Sequence, residues 1–214
     1  MATSSRTFLP AAGHDWFLPM YDPLTKLLGV DRVRTTLLDQ AALQSRHRVL
    51  DVGCGTGTLA VLMKRLYPTV DVTGVDPDPK ALSRARRKAE RAAVSIQFDE
   101  GFADTLEYPD ATFDRVFSSL MLHHLEGNTK QTSLREIHRV LRPGGRLELA
   151  DFANAHSGAH GVISRLIHSH RRLRDNSDQA ILLLMTAAGF VNAKKVCEQD
   201  SMFGHIAFYQ ASAP

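Results

Sequence analysis

Val49-Leu50-Asp51-Val52-Gly53-Cys54-Gly55-Thr56-Gly57-Thr58 is the stretch on which the fold turns. His47 to Val52 is a short apolar run that reads as a buried strand. It enters a turn with three glycines, and Leu59 to Leu66 follows as a helix. Glycine reaches positive φ without a Cβ clash and lets another group approach the main chain closely. Gly53 and Gly55 are therefore expected to face a ligand, and Gly57 to allow tight helix–strand packing. A turn whose glycines serve geometry alone is the competing reading.

The spacing is Gly-x-Gly-x-Gly, not the Gly-x-Gly-x-x-Gly of dinucleotide folds. Asp51 precedes the first glycine. A carboxylate there repels a pyrophosphate and attracts an ammonium group. S-adenosylmethionine has an amino group, a sulfonium and no phosphate, and fits that place. The next strand, Val70 to Val75, is followed by Asp76. An acid at that point is placed to accept hydrogen bonds from ribose hydroxyls. NAD-binding folds use the same device, so Asp76 indicates adenosine rather than one cofactor. Its competing role is the N-cap of the helix that starts near Pro77 and Pro79.

Outward from this unit, strands and helices alternate. Pro79 to Ala92 is a charged helix, Ser95 to Phe98 a weak third strand and Phe113 to Ser118 a fourth. Thr129 to Leu141 reads as a helix stopped by Pro143-Gly144-Gly145, and Arg146 to Phe152 as a fifth strand. Such alternation predicts a parallel sheet covered on both faces. Asp178 to Ala188 is expected to be helical, with Ala193 to Glu198 and His205 to Gln210 as an antiparallel hairpin. On the other side, Asp15 to Leu43 has helical spacing. Gly29 divides it into two helices, Pro19 and Pro23 interrupt the first, and Asp31 is placed to cap the second.

Four blocks resemble the class I S-adenosylmethionine-dependent methyltransferases. They are VLDVGCGTGTLA, VTGVDPDPKAL, FDRVFSSLMLHHL and LRPGGRLELADF, which together cover about half the chain in the family's order. The sequence is most similar to the small-molecule group that includes the ubiquinone/menaquinone C-methyltransferases. The resemblance implies an α/β, Rossmann-like doubly wound sheet of seven mostly parallel strands, with an antiparallel C-terminal hairpin and N-terminal cap helices. It implies one domain over 1–214: a helical cap 1–44, a cofactor core 45–152, a lid insertion 153–178, and a C-terminal helix and hairpin 179–214. By the same resemblance, Asp51, Gly53 and Gly55 surround the methionine portion of S-adenosylmethionine. Asp76 holds the ribose, with Pro77 beside the adenine. Ser118 and Ser119 approach the amino-acid end or the sulfonium through their backbone. Many relatives carry Gly-Asp-Ala after the third strand, where this chain has Gly101-Phe102-Ala103 and then Asp104. Phe102 is expected to stack on adenine and the Ala103 N–H to bond the ring. Tyr21, in a segment that folds over the cofactor in related enzymes, is expected near the methyl group.

The methyl donor brings an activated group, so the protein chiefly aligns it with an acceptor. A base is needed only if the acceptor must lose a proton. His124 is the expected base, with His123, Tyr21 and the histidines of the insertion as other candidates. His156 and His160 are four apart, which falls short of a metal site, and no metal is expected. The basic stretch Arg165 to Arg174 reads as a solvated helix face, with a phosphate or lipid-headgroup contact as its competing reading.

The bulk properties are ordinary. Of 214 residues 43% are hydrophobic and 23% charged, the net charge of +3 is too small to imply nucleic acid, and two cysteines fit a reducing cytoplasm. No apolar run reaches the roughly 18 residues of a membrane span, and the first residues do not resemble a secretory signal. The expected activity is methyl transfer to a small or lipophilic acceptor. The alternatives are a non-catalytic S-adenosylmethionine-binding protein, a phospholipid-headgroup or nucleic-acid methyltransferase, and an NAD-linked oxidoreductase.

Overall fold

The computed structural model describes residues 30–153, 177–201 and 204–214. Tyr21, the first expected helix and the His- and Arg-rich insertion lie outside those residues. The strands are β1 (Arg48–Val52), β2 (Asp71–Asp76), β3 (Gln97–Glu100), β4 (Phe113–Ser119), β5 (Leu141–Phe152), β6 (Val191–Ser201) and β7 (Gly204–Ser212). The helices are α1 (Val30–Gln40), α2 (Thr58–Leu66), α3 (Pro79–Arg91), α4 (Gly127–Val140) and α5 (Asp178–Ala187). They form one sheet in the order β3-β2-β1-β4-β5-β7-β6. β1 to β5 are parallel, and β7 is antiparallel to both β5 and β6.

Successive residues on a strand point to opposite faces, so a strand covered on both sides must be apolar at every position. Val49 packs with α1, α2 and α3 through Leu37, Met63 and Leu82. Leu50, the next residue, packs with α4 and α5 through Leu134, Ile137 and Ile181. Phe117 and Val116 on β4 divide between the same two layers. The chain leaves β1 toward β2 and β3, then returns to β4 on the other side of β1. The crevice between the C-terminal ends of β1 and β4 is therefore the switch point where open α/β sheets take ligands.

The structure departs from expectation in a few places. Asp31 does not cap α1. It lies in the first turn and pairs with Arg34 at 2.7 Å. Pro143-Gly144-Gly145 does not separate helix from strand. α4 ends at Val140 and β5 begins at once with Leu141. Pro143 sits where the β4–β5 register shifts, a position that tolerates a missing N–H. Gly144 takes φ 75°, its N–H bonds Ala213 O at 2.9 Å, and the Ala213 N–H bonds Gly145 O at 2.9 Å. The third strand runs Gln97–Glu100, two residues later than expected, and both hairpin strands are longer than expected. Among the described residues no helix is long and apolar enough to cross a membrane.

Candidate functional site

The glycine turn joins β1 to α2 and is tied to the end of β2. The Gly53 and Cys54 N–H groups bond Val75 O at 2.8 and 3.1 Å. Gly53, Gly55 and Gly57 all take positive φ, at 73°, 52° and 72°. A Cβ on Gly57 would stand 2.8 Å from Ala85 Cβ and 3.0 Å from Phe98 Cζ, so its hydrogen is what lets α3 and β3 close on the turn. Gly53 is crowded differently. A Cβ there would lie 2.3 Å from Met121 Cγ, so the Met121 side chain lies directly on the turn.

Asp76 does not cap a helix. Its Oδ2 accepts from the Gly55 N–H at 2.8 Å and its Oδ1 from the Asp78 N–H at 2.9 Å. The capping role falls to Asp78, whose Oδ1 accepts from the Lys80 N–H at 2.8 Å. Asp76 thereby ties the turn to β2, and each carboxylate oxygen keeps a second lone-pair site for a ligand hydroxyl. Burial pushes its carboxyl above the usual range, against the pull of the two N–H groups. Gly101 N–H bonds Asp76 O at 3.2 Å, which holds Phe102 and Ala103 beside the end of β2. Both are half-buried, as is Pro77.

Asp51 is 2% exposed and its Oδ2 has no hydrogen-bond partner. Burial first, and the Asp76 charge second, push its carboxyl up to about 7, with Arg34 opposing. On the neighbouring strand, Ser118 Oγ is also buried without a partner. Val52 pairs with Ser118 and Asp51 with Phe117, so both residues stand near the C-terminal ends of β1 and β4, Asp51 on the face of Phe117 and Ser118 on that of Val52. Buried polar atoms are nearly always bonded, and a pair left over at a switch point marks the place of a ligand. The ammonium of S-adenosylmethionine offers three donors and a positive charge to these acceptors. Asp51, Ser118, Asp76 and the glycine turn carry groups that fit that molecule.

Past β4 the chain turns sharply. Leu120 takes φ 56°, rare for a bulky residue, and its N–H bonds Ala150 O at 2.8 Å. Leu122–His124 forms a single 3-10 turn. His123 is buried and its Nδ1 lies 2.7 Å from Asp151 Oδ1, while its backbone N–H bonds Asp151 Oδ2 at 2.9 Å. The Phe152 N–H adds a third bond to Asp151 at 2.7 Å. His124 is half-buried, its ring 4.0 Å from that of His123. The expected residues from β1, β2, β4 and the segment after β3 thus come together at one end of the sheet. Sequence reasoning missed Met121, Asp78 and Asp151. A signal for Asp151 was present: like Asp51 and Asp76, it is an acid near the C-terminal end of a parallel strand.

A methyltransferase domain model matches residues 49–145, the segment holding this turn and β1 to the start of β5. A demethylmenaquinone methyltransferase from Deinococcus radiodurans is 42% identical over 155 residues, covering 71% of this chain and 64% of that protein. One from Thermus thermophilus is 38% identical over 151 residues, covering 69% and 68%. The chain thus spans about two thirds of the length of these curated relatives. A solved S-adenosylmethionine-dependent methyltransferase from Aquifex aeolicus superposes with a TM-score of 0.67 at 17% identity, covering 85% of this chain and 89% of that one. The SpnF cyclase superposes at 0.71 with 22% identity, covering 86% and 81%, so the fold by itself does not name an activity. With the match to the Thermus relative at that identity and coverage, this chain belongs to the class I S-adenosylmethionine-dependent methyltransferases.

Proposed function

We propose that this chain transfers the methyl group of S-adenosylmethionine to a small lipophilic acceptor held against the C-terminal ends of β4 and β5. One observation carries the reading: Asp51 Oδ2, on β1 just before the glycine turn, and Ser118 Oγ, on the neighbouring end of β4, are buried and unpartnered at the switch point. Asp51, with Gly53, Gly55, Ser118 and Ser119, receives the methionine portion. Asp76 receives the ribose hydroxyls, and Pro77, Phe102 and Ala103 flank the adenine. His124 and Tyr21 are assigned to the acceptor side. When bound, the donor supplies a methyl group already activated on a positive sulfur. The residues named align it and keep water away.

The relatives support the acceptor class. Those matched include proteins named for demethylmenaquinone and for 27-O-demethylrifamycin SV, both large, ring-containing lipophilic molecules. The whole chain is read as one catalytic domain with the divisions 1–44, 45–152, 153–178 and 179–214. Its two described cysteines are free, which suits a reducing cytoplasm. Nucleic acid is not expected as a substrate.

Calorimetric titration with S-adenosylmethionine, S-adenosylhomocysteine and NAD tests the donor. The first two are expected to bind and NAD is not. Asp76→Ala is expected to weaken donor binding at least about tenfold, since two hydroxyl bonds to a charged group go with it. An unchanged affinity in a folded Asp76→Ala protein overturns the assignment. Transfer of labelled methyl to reduced naphthoquinols tests the acceptor.

A further inference from the structure

The outer half of the sheet carries a second polar cluster, on the face that meets α1. Strand register sets it out in rows. One row runs Asp51, Phe117, Glu148, Gln210, Lys194 across β1, β4, β5, β7 and β6. The row beside it places Arg115 next to Arg146, and Arg146 next to Ser212. Two arginines on neighbouring strands repel each other. Glu148 is fully buried and neutralises one of them. Its Oε1 accepts from Arg146 Nε at 3.0 Å and its Oε2 from Gln210 Nε2 at 2.9 Å. The Asp114 carboxylate is occupied by Arg142 and by the Arg48 N–H. Lys195 lies on the opposite face, beside Tyr209, and pairs there with Asp178 and Glu198. Among the described residues, the three cations Arg115, Arg146 and Lys194 therefore meet the one carboxylate of Glu148, a surplus of two positive charges. Burial first, and the Arg146 charge second, lower the pKa of Arg115, as such crowding requires.

A cavity of about 520 Å3 opens beside this surplus. Arg146, Asn192, Lys194, Gln210 and Ser212 line it, and its apolar lining is alanine alone. The register of β6 on β7 shifts between Val191 and Lys194, and Asn192 takes φ 54°. A bulge re-aims the side chains around it, and here Asn192 and Lys194 both meet the cavity. Arg146 gives its Nε to Glu148 and its Nη2 to Glu148 and Gln40 O. Among the described residues, Arg146 Nη1 and the Lys194 ammonium have no acceptor. Phe117 and Glu148 stand in the row between Asp51 and Gln210, so the cavity is separate from the donor crevice.

We propose that this cavity binds the phosphate group of a small, polar phosphate monoester. Such a phosphate carries a charge of about −1.5 to −2 near neutral pH and three strong acceptor oxygens. That charge matches the surplus, and the oxygens match the donors on Arg146, Lys194, Asn192 and Ser212. The volume leaves room for a body of sugar size beyond the phosphate. A lining without large apolar side chains selects a polar body over a lipophilic one, unlike the acceptor proposed above. The site thus takes a different ligand from either partner in methyl transfer.

Arg146 also holds the end of α1 through Gln40 O, so the exposed Lys194 is the position to change. The experiment titrates the full chain with ribose 5-phosphate by calorimetry, and saturable binding in the millimolar range or tighter is expected. Lys194→Glu should weaken it about tenfold or more, the scale of a lost hydrogen bond between charged groups. Arg87→Glu makes the same charge change at an exposed position of α3, and should alter the affinity less than about twofold at physiological salt. On titration, backbone amide shifts should move at Asn192, Lys194 and Ser212 and stay fixed at Gly53 and Gly55. Saturating S-adenosylhomocysteine should leave the affinity within about threefold, as for independent sites. Ribose without its phosphate should not bind, and malonate should bind more weakly. Displacement by S-adenosylhomocysteine overturns the proposal, as do equal losses in the two variants. So does equal binding of ribose or malonate, or the absence of saturable binding.

Discussion

Asp51→Asn keeps the shape of a buried side chain and removes its charge. In the parent the carboxyl titrates from 3.8 when unfolded to about 7 when folded. Below 3.8 both states hold the proton and the full stability is present. As pH rises, the unfolded chain releases its proton first while the folded chain keeps it, so stability falls until pH passes the folded value. At about 1.4 kcal/mol per unit, the two units from pH 5 to pH 7 correspond to about 3 kcal/mol. Asp76 and Glu148 are also pushed up by burial and tilt the curve the same way, but they are common to both proteins. Asp151 tilts it oppositely and is likewise common. Urea unfolding at pH 5 and pH 8 measures the difference. The parent should lose about 3 kcal/mol more than Asp51→Asn between the two, an order-of-magnitude figure set by the one shift. A cation bound beside Asp51 expels its proton, so near pH 6 donor binding should release protons in the parent and fewer in the variant. Parallel stability curves, with equal proton release, would refute the reasoning.

Asp78→Ala removes an N-cap and should cost about 1 kcal/mol while leaving donor affinity unchanged, unlike Asp76→Ala; melting curves and calorimetry on the pair of variants separate the two roles. Gly57→Ala places a Cβ 2.8 Å from Ala85 at φ 72°, and should destabilise by about 2–4 kcal/mol from combined strain and overpacking, read by urea unfolding. Cys54 is buried and its thiol is pushed far up by burial and by Asp51 and Asp76, so a thiol reagent should modify half-buried Cys197 well before it. Faster labelling of Cys54, located by peptide mapping, would show that the turn opens.

The parallel core was legible because its signals are local. Apolar strands end in acids, and glycines follow where the backbone needs positive φ. What was not legible depends on partners distant in sequence. Pro143-Gly144-Gly145 reads as a stop to any local rule, yet Ala213, about seventy residues on, supplies the hydrogen bonds that keep Gly144 and Gly145 in the sheet. The helix-capping role that competed with ribose binding in the reading of Asp76 fell to Asp78, while Asp76 accepts from the Gly55 N–H. Adjacent histidines gave no sign of which would be buried. The register of β4 on β5 brings Asp151 to His123, a partner no local rule could point to.

β7 follows β6 in the chain but lies inside it, between β6 and β5. A ribosome therefore delivers β1 to β5 with one long edge of β5 unpaired, and β6 emerges before the strand that must lie beneath it. Until Gly204–Ser212 arrives, a twelve-residue strand carrying Leu147, Leu149 and Phe152 offers its backbone to any passing chain. The hazard is one of timing rather than of equilibrium stability. A chain cut after Ser201 would present that edge permanently, and its failure would take the form of aggregates rather than of a weaker fold.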